Sequence, residues 1–216
     1  LKMQKKNFDN KHQLGLLNRL DFETSGIIMI CKTYDAYKIY RKNINNHKTT
    51  IKIYLTLVDG NIEQMFGIVS LPIRYEKKDN MSYIDEKNGK YSYTEYIKLR
   101  TIIYKHKIYT LLAVKIKTGR THQIRVHMKS IGHNVFCDKK YEQNRTKLKT
   151  ECNLSHRLFL HATYYQLVNG IDGEIKLPDD LNNVLNNMVI KHQFMTIENA
   201  IKIFKSNVIK HNFSDK

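Results

Sequence analysis

The chain has 216 residues, of which 41% are hydrophobic and 26% are charged, and its mean hydropathy is -0.53. This composition fits one domain with an apolar core, and no apolar run approaches the roughly 20 residues that cross a bilayer. Cys31, Cys137 and Cys152 are too few and too scattered for a disulfide framework, and they lack the paired spacing of a zinc site. We therefore exclude a small secreted protein, a membrane protein and a zinc protein.

Positive charge is unevenly distributed along the chain. The 37 lysine and arginine residues exceed the 20 acidic residues by 17. Residues 151–216 contain seven of each sign, and residues 96–137 contain nine basic residues and no acid. Part of the lysine content matches an AT-rich genome, but codon bias alone would not remove acids locally. The distribution favours a polyanionic partner such as nucleic acid over a solvated basic face.

The first third of the chain predicts two strands and a helix. Residues 1–13 are polar, and we expect a loose segment. Residues 26–32 are apolar and predict a buried strand, and residues 33–46 predict a helix capped by a threonine. Apolar and polar residues alternate over residues 51–58, which predicts a half-buried strand with Tyr54 on its outward side.

The middle of the chain predicts two hairpins and a helix. An Asn-Gly pair lies between short expected strands within residues 83–91, which is a strong hairpin signal. Residues 93–104 and 108–117 form a second expected hairpin. Residues 124–131 repeat apolar side chains at the helical period, and Gly132 would end that helix.

The remaining residues complete the expected fold. Residues 138–156 are polar and predict a connection, whereas residues 157–168 predict a strand. Pro178 begins a short expected helix, and residues 197–208 predict a last one. No repeat or flexible linker divides the chain, so we expect residues 14–216 to form a single domain. The predicted class is α+β, with a mixed, mostly antiparallel central sheet and flanking short helices.

The first candidate for chemistry is Asp21, in the segment N-R-L-D-F-E-T-S-G of residues 18–26. A tight loop at the start of a strand can hold a carboxylate ionised and oriented through backbone N–H groups and hydroxyls. Arg19 flanks the carboxylate. From spacing alone, an aspartate that only caps its own turn is the competing interpretation.

The second candidate is T-G-R-T-H-Q-I-R-V-H, residues 118–127, at an expected strand-to-helix junction. A helix N-terminus suits phosphate because of its free N–H groups and positive dipole end. The polar side chains that could use this position are Arg120, His122, Gln123 and Arg125. His122 and His127 do not share a helical face, so we expect no metal site. The alternative for this segment is a basic helix start that only contacts solvent. Tyr54, taken alone, is an ordinary core or surface residue of its strand.

Together these segments resemble the RluA family of pseudouridine synthases. Residues 18–26 resemble the family's catalytic loop, usually written H-R-L-D-x-x-T-S-G, and residues 52–60 resemble its K-x-Y-x-A-x-V-x-G strand. Residues 118–127 match its T-G-R-T-H-Q-I-R-V-H segment without a gap. Later similarities extend the match over roughly residues 16–190, in the family's order, and the first of them includes Asp138 and Tyr141 in a segment similar to the family's I-G-H-P-x-x-G-D-x-x-Y. Two positions depart from the pattern: Asn18 replaces the usual histidine, and Cys137 replaces the glycine before Asp138.

The resemblance implies the pseudouridine synthase fold and the isomerisation of uridine to pseudouridine in ribosomal or transfer RNA, without a cofactor or a metal. Asp21 would be the catalytic residue, either as a nucleophile or as a base on the ribose. The other site residues would bind substrate. Tyr54 would stack on the flipped uracil, and Arg125, or else Arg120, would pair with Asp21. Arg19 would border the pocket and fill the gap left by the flipped base. His122 and Gln123 complete the expected set.

The resemblance also sets expectations for geometry, partners and place. Asp21 should be substantially buried, with the Arg125 guanidinium within about 2.7–3.2 Å of its carboxylate, or at a looser distance while RNA is absent. We expect a monomer that binds RNA inside the cell, in the cytoplasm or an organelle. The main alternative is a catalytically silent RNA-binding protein of the same fold, and a third is a basic protein whose charge reflects codon bias alone. A mere binder has no need of a carboxylate facing RNA, which favours the enzyme.

Overall fold

The structure, a computed structural model, describes residues 14–44 and 50–206 and is built on one large sheet. The strands are β1 (Ser25–Gly26), β2 (Ile51–Asp59), β3 (Phe66–Val69), β4 (Ile73–Glu76), β5 (Met81–Ile84), β6 (Thr94–Tyr104), β7 (Lys107–Ile116), β8 (Leu160–Gln166), β9 (Asp172–Glu174) and β10 (Val189–Gln193). The helices are α1 (Tyr34–Asn43), α2 (Gln123–Ser130), α3 (Arg145–Cys152), α4 (Asp179–Asn186) and α5 (Ile197–Ser206).

The main sheet has the order β1-β8-β2-β7-β6-β10, with β3 also on β6 and β9 also on β8. Strand β1 pairs with β8 in parallel, and the other described pairs of the sheet are antiparallel. Strands β4 and β5 form a separate hairpin. The predicted α+β class with a mixed, mostly antiparallel sheet is therefore confirmed.

Strand β2 separates two apolar cores because its side chains alternate between the faces of the sheet. Ile53, Leu55 and Leu57 belong to the core that also contains apolar side chains of α4 and α5. Tyr54 and Val58 point to the other face, where they join a core that includes side chains of α2. Both faces are covered, so the prediction of a half-exposed strand is wrong for β2.

Several other elements agree with the sequence patterns. Helix α1 begins after Thr33, whose hydroxyl accepts a hydrogen bond from the Ala36 N–H group. The long hairpin of β6 and β7, helix α2, strand β8, helix α4 after Pro178 and helix α5 are all present near their predicted positions. The expected loose segment, residues 1–13, and the ends of the first and last predicted helices lie outside the described residues.

The predicted buried strand over residues 26–32 is largely wrong. Only Ser25 and Gly26 pair with β8, and Ile28 and Ile30 are 48% and 52% exposed. The Asn18 side-chain amide bonds the Ile27 carbonyl and the Met29 N–H group, at 2.9 and 2.8 Å. Those backbone groups are therefore engaged by a side chain, and the segment continues along the loop as an irregular extended chain.

The hairpin predicted around Asn88-Gly89 and the irregular connection over residues 138–156 are also wrong. Strand β5 pairs with β4 across residues 77–80, upstream of the Asn-Gly pair. The Asp85 carboxylate instead accepts hydrogen bonds from the Lys87 and Asn88 N–H groups, which closes a local turn. The polar connection contains α3, whose first turn is capped by the Asn144 side chain. Its weak apolar periodicity explains why the pattern missed it.

A disulfide joins Cys137 to Cys152, the last residue of α3, while Cys31 is a buried free thiol. The sequence analysis excluded a framework of several disulfides and did not predict this pair. The bridge fixes α3 beside residue 138, which belongs to the site described next.

Candidate active site

A cavity of about 90 Å³ lies where the loop before β1, strand β2 and the start of α2 meet. All seven residues predicted from the sequence line it, namely Arg19, Asp21, Tyr54, Arg120, His122, Gln123 and Arg125. Leu20, Ile116, Ile124 and Leu160 add apolar walls. A flat ring with polar edges fits such a lining, because the apolar sides can cover its faces while charged groups reach its edge.

The sheet register explains why distant residues meet here. Ala162 of β8 pairs with Tyr54 on one side and with Gly26 on the other. Gly26 has a φ of 126°, and a Cβ atom there would lie 2.3 Å from the Ala162 carbonyl oxygen. Only glycine allows this approach. The close pairing places the loop that carries Asp21 beside the strand that carries Tyr54.

The loop of residues 18–26 is fixed at both ends. Asn18 bonds residues 27 and 29, as described above. The Thr24 N–H group donates to the Asp21 carbonyl at 3.0 Å and closes a turn. Arg157 donates to the Glu23 carbonyl at 3.0 Å and to the Ser25 hydroxyl at 2.9 Å. The position of Asp21 is therefore set by the backbone and its anchors.

Asp21 does not form the close ion pair expected from the resemblance. Its Oδ2 atom lies 3.5 Å from Nη1 of Arg125, and its side chain is 19% exposed. Arg125 instead makes a two-pronged contact with the buried Asp138, with Nε–Oδ2 and Nη2–Oδ1 distances of 2.7 Å each. The two carboxylates, Asp21 and Asp138, share the N–H donors of one guanidinium. The buried Asp138 accepts the shorter, two-point contact. The Asp21 oxygens remain accessible from the cavity.

His122 lies between Asp21 and Tyr141. Its Nδ1 atom is 2.8 Å from the Tyr141 hydroxyl, and its Nε2 atom is 4.0 Å from Oδ2 of Asp21. The Ser82 N–H group donates to the Tyr141 oxygen, and burial raises the pKa of Tyr141 to about 12, so its hydroxyl proton is kept and is directed to Nδ1. Burial also lowers the pKa of His122. From this network we assign neutral imidazole with its Nε2–H facing Asp21.

Tyr54 is buried in the cavity floor. Burial raises the pKa of its hydroxyl, and the charge of Asp21 raises that pKa further. The side chain therefore stays a neutral phenol, able to contact a ring and to exchange a proton only through a strong neighbouring base.

Gln123 has a different place from the one expected. Its Oε1 atom accepts from the Thr118 hydroxyl and the Arg120 N–H group, at 2.7 and 3.1 Å. Its Nε2 atom donates to the Tyr93 carbonyl and the Thr94 hydroxyl, at 3.1 and 3.0 Å. The amide is thus saturated by the protein. Gln123 ties the start of α2 to β6, so its contacts are those of a residue that shapes the cavity.

Arg120 and Arg19 are exposed at the cavity mouth. Arg120 donates through Nε to the Tyr91 carbonyl at 3.1 Å, which leaves its terminal nitrogens toward solvent. Both positions suit contact with a polyanion outside the cavity.

The sequence reasoning gave no role to three further residues. Asp138 and Tyr141 were seen only as parts of a motif, and nothing in their spacing indicates that they hold Arg125 and His122. Thr24 lines the cavity, and its buried hydroxyl has no hydrogen-bond partner among the described residues. A buried hydroxyl that lacks a partner in the protein is a group that a bound molecule can satisfy.

The described residues contain neither a cluster of metal ligands nor a membrane-spanning helix. Within residues 14–44 and 50–206, no three histidine, cysteine, aspartate or glutamate side chains are grouped in a way that could hold a metal ion. In the same ranges, no helix has the length and apolar character that a membrane span requires.

Known proteins resemble this chain in sequence and in fold. The sequence model of the family described as RNA pseudouridylate synthase matches residues 1–130. An uncharacterized RNA pseudouridine synthase of Aquifex aeolicus is 38% identical over 159 residues, which cover 69% of this chain and 49% of that protein. Ribosomal large subunit pseudouridine synthase D of Borreliella burgdorferi is 32% identical over 151 residues, 69% of this chain and 45% of that protein.

A solved structure supports the fold. Human RNA Pseudouridylate Synthase Domain Containing 1 superposes with a TM-score of 0.74 at 23% sequence identity, over 88% of this chain and 80% of that one. The chain spans about half the length of the curated relatives it matches. The family match over more than half of the chain agrees with the ordered motifs and with the convergence of their residues on one cavity. The chain therefore belongs to the RNA pseudouridylate synthase family, of the RluA type.

Proposed function

We propose that this chain converts uridine to pseudouridine in RNA, with Asp21 as the catalytic residue. The observation that carries the proposal is the convergence of Asp21, Tyr54 and Arg125 on one cavity. These residues lie on a loop, a strand and a helix that are distant in sequence. A carboxylate that opens into a partly apolar cavity is what the reaction needs, whereas a protein that only binds RNA gains nothing from a negative charge there.

The reaction requires that the target nucleotide leave its stack and enter the cavity. The N1–C1′ bond of the uridine breaks, the uracil turns, a bond forms between C5 and C1′, and the proton on C5 moves to N1. Asp21 serves as the nucleophile or as the base on the ribose, and either role needs the ionised carboxylate. The Tyr54 ring supports the uracil, and the unpartnered Thr24 hydroxyl supplies a hydrogen bond to the base.

Arg125 and His122 position and balance the charge of Asp21. Arg125 is held by Asp138 at close range and lies 3.5 Å from Asp21, so it can strengthen its contact with Asp21 when RNA binds. His122 presents an N–H group to the same carboxylate. Arg19 and Arg120 contact phosphates at the mouth, and Gln123 maintains the cavity wall.

The basic residues between 96 and 137 contribute less to RNA binding than their number suggests. Lys98, Lys115 and Arg125 are buried. Lys98 donates to the Asn61 side chain and the Ile62 carbonyl, and Lys115 donates to the Phe204 carbonyl. Arg120 at the mouth and the lysines that remain exposed are left to contact phosphates.

We propose structured RNA as the substrate, with large-subunit ribosomal RNA as the first candidate, because relatives carry that substrate in their names. Transfer RNA is the second candidate. We further propose that residues 14–216 form one catalytic domain that acts as a monomer inside the cell. The single domain is supported by the main sheet, which joins described residues from β1 to β10.

Pseudouridine mapping of total cellular RNA, with and without this protein, tests the proposal and identifies the RNA. Asp21→Asn should remove the mapped modification, with residual turnover below about 1%, while RNA affinity stays within a few-fold. Asp35→Asn is the matched control, because Asp35 is 84% exposed on α1 and pairs with Lys38, three residues further along the helix. Turnover well above about 1% in Asp21→Asn would overturn the role of Asp21, whereas salt-sensitive RNA binding by the wild-type chain without any pseudouridine would favour the silent RNA-binding protein.

A further inference from the structure

The disulfide between Cys137 and Cys152 lies one residue from the active site. Cys137 is fully buried in the core that also contains side chains of α4 and α5, on one face of the sheet. The next residue, Asp138, belongs to the site on the other face, where it holds Arg125 beside Asp21. A displacement of the backbone at residue 137 therefore also displaces residue 138, and with it the partner of the guanidinium.

The backbone of Cys137 has a φ of 55°, which lies in the left-handed region. Residues with a Cβ atom avoid this region, because that atom comes too close to the following carbonyl oxygen. The family pattern has a glycine at this position, and glycine adopts such a φ without a steric cost. In this chain the conformation is held from α3, by the disulfide and by a 2.8 Å hydrogen bond from the Cys137 N–H group to Oε2 of Glu151. The cysteine therefore requires a restraint that a glycine does not.

Helix α3 keeps other contacts when the disulfide opens. Lys147 forms ion pairs with Asp59 and Glu142, which join the helix to the end of β2. The Sγ atom of Cys137 lies 3.2 Å from the Ser155 carbonyl oxygen, which can accept a hydrogen bond from the reduced thiol. Reduction therefore leaves the helix docked and confines the change to the backbone around residue 137.

We propose that Cys137 and Cys152 form a redox-sensitive switch, in which the disulfide holds Asp138 and Arg125 in the active arrangement. This inference rests on the proposed function. Disulfides that form inside cells are typically reversible and respond to the redox state of their surroundings. In the reduced form, the backbone of Cys137 relaxes from the left-handed region, Asp138 moves, and Asp21 loses its aligned guanidinium.

The oxidant in this switch is a small-molecule disulfide of the glutathione type. Cys152 reacts first, since its side chain is partly exposed whereas that of Cys137 is fully buried. The Cys152 thiolate attacks one sulfur of the oxidant and releases one thiol, and the Cys137 thiolate then attacks Sγ of Cys152 and releases the second. The two protein thiols lose two protons and two electrons, and the small disulfide gains them as two thiols.

The first experiment measures pseudouridine formation in the unmodified transcript of the RNA identified by mapping, at graded ratios of reduced to oxidised glutathione. Wild-type kcat should fall about fivefold or more on reduction while KM stays within about twofold, because the change misaligns Arg125 and leaves the RNA-contacting surface in place. The fall should follow the fraction of free thiols, counted by alkylation and mass spectrometry. Cys31→Ala is the control and should show the same response, because Cys31 is a free thiol in a separate core.

Two double variants separate the switch from a bridge that only adds stability. Both carry Cys152→Ala, and they differ in whether Cys137 is replaced by alanine or by glycine. Cys137→Ala with Cys152→Ala should have the slow kcat of reduced wild type at every glutathione ratio. Cys137→Gly with Cys152→Ala should keep the kcat of oxidised wild type at every ratio, because glycine holds the positive φ without a restraint. Equal kcat values in the two double variants would overturn the switch.

Hydrogen exchange gives a readout that does not depend on turnover. The N–H groups of Lys140 and Tyr141 donate to Asp138, so their exchange should quicken about tenfold or more on reduction of wild type. The double variant with glycine should show no such change. If wild type forms no pseudouridine at any glutathione ratio but exchange responds, the proposed activity fails and the switch in the site geometry stands. The switch is overturned if full reduction leaves kcat unchanged in an active wild type, or leaves exchange unchanged in an inactive one.

Discussion

At the scale of single residues, the site depends on one guanidinium shared by two carboxylates. Asp138, 1% exposed, takes the two short contacts with Arg125, and Asp21 takes the longer one. The backbone N–H groups of Lys140 and Tyr141 also donate to Asp138, which fixes its carboxylate. The buried pair therefore sets where Arg125 can meet Asp21.

Asp138→Asn should destabilise the protein by about 3 kcal/mol, because it leaves a buried guanidinium with one weaker partner. It should also lower kcat about tenfold or more, since Arg125 loses its fixed position beside Asp21. Urea unfolding and single-turnover kinetics measure the two effects. Glu76→Gln is the control, because its pair with Arg74 is solvent-exposed and should be worth less than about 1 kcal/mol. An unchanged unfolding midpoint in Asp138→Asn would contradict this account.

Asn18 is not among the residues that line the cavity, and it acts by holding the loop. Its amide bridges residues 27 and 29, which supports the interpretation of Asn18 as a hydrogen-bonding loop residue. Asn18→His should keep the rate within about tenfold, because an imidazole also offers a donor and an acceptor. Asn18→Leu should lose loop order and activity together. A gain well beyond tenfold in Asn18→His, measured as kcat/KM on the mapped RNA, would indicate that this copy has lost catalytic efficiency.

At the scale of elements, local sequence patterns predicted the strands and helices whose formation depends on the periodic burial of one face. Alternation placed β2, and the helical period placed α2, because burial on a face sets those periods. The apolar residues 26–32 failed as a strand because Asn18, eight or more residues upstream, bonds their backbone. The full burial of Tyr54 also depends on α2, which packs on the second face of the sheet. No pattern within a strand carries that information.

Gln123 links two elements, so its replacement tests how the cavity wall is built. Gln123→Met keeps the volume but removes the four hydrogen bonds that join the start of α2 to residues 93–94 and 118–120. We expect a loss of about 3 kcal/mol in unfolding free energy and a raised KM. Gln123→Glu should recover the two bonds made to Oε1 but not those made by Nε2. Wild-type stability in Gln123→Met, measured by urea unfolding, would contradict the linking role.

At the scale of the whole molecule, the order of the family motifs predicted the residues of the site better than composition or periodicity did. The resemblance named seven residues that meet in one cavity, although nothing in composition or periodicity brings a loop, a strand and a helix start together. It did not foretell that Arg125 prefers Asp138, or that Gln123 is saturated by the protein. Those outcomes depend on competition between partners for the same donors, which only the assembled fold decides.

The same assembly buries three imidazoles and partly buries a fourth, and so couples stability to pH. Burial lowers the pKa of each of the histidines His122, His127, His133 and His161. As pH falls below about 6.5, the unfolded chain takes up protons on these groups while the folded chain does not. The unfolded state then binds more protons, so the free energy of unfolding falls as the solution is acidified. Burial raises the pKa of Glu151, which acts in the opposite sense but as a single group.

We therefore expect the urea midpoint to be lower at about pH 5.5 than at about pH 7.5, at constant ionic strength. His127 offers the sharpest variant, because it is fully buried between the Thr94 hydroxyl and the Leu71 carbonyl. His127→Gln keeps a donor and an acceptor but cannot titrate, so the difference between the two midpoints should shrink. His156→Gln, at an exposed position, should leave that difference unchanged. A midpoint that rises on acidification would mean that Glu151 outweighs the four histidines.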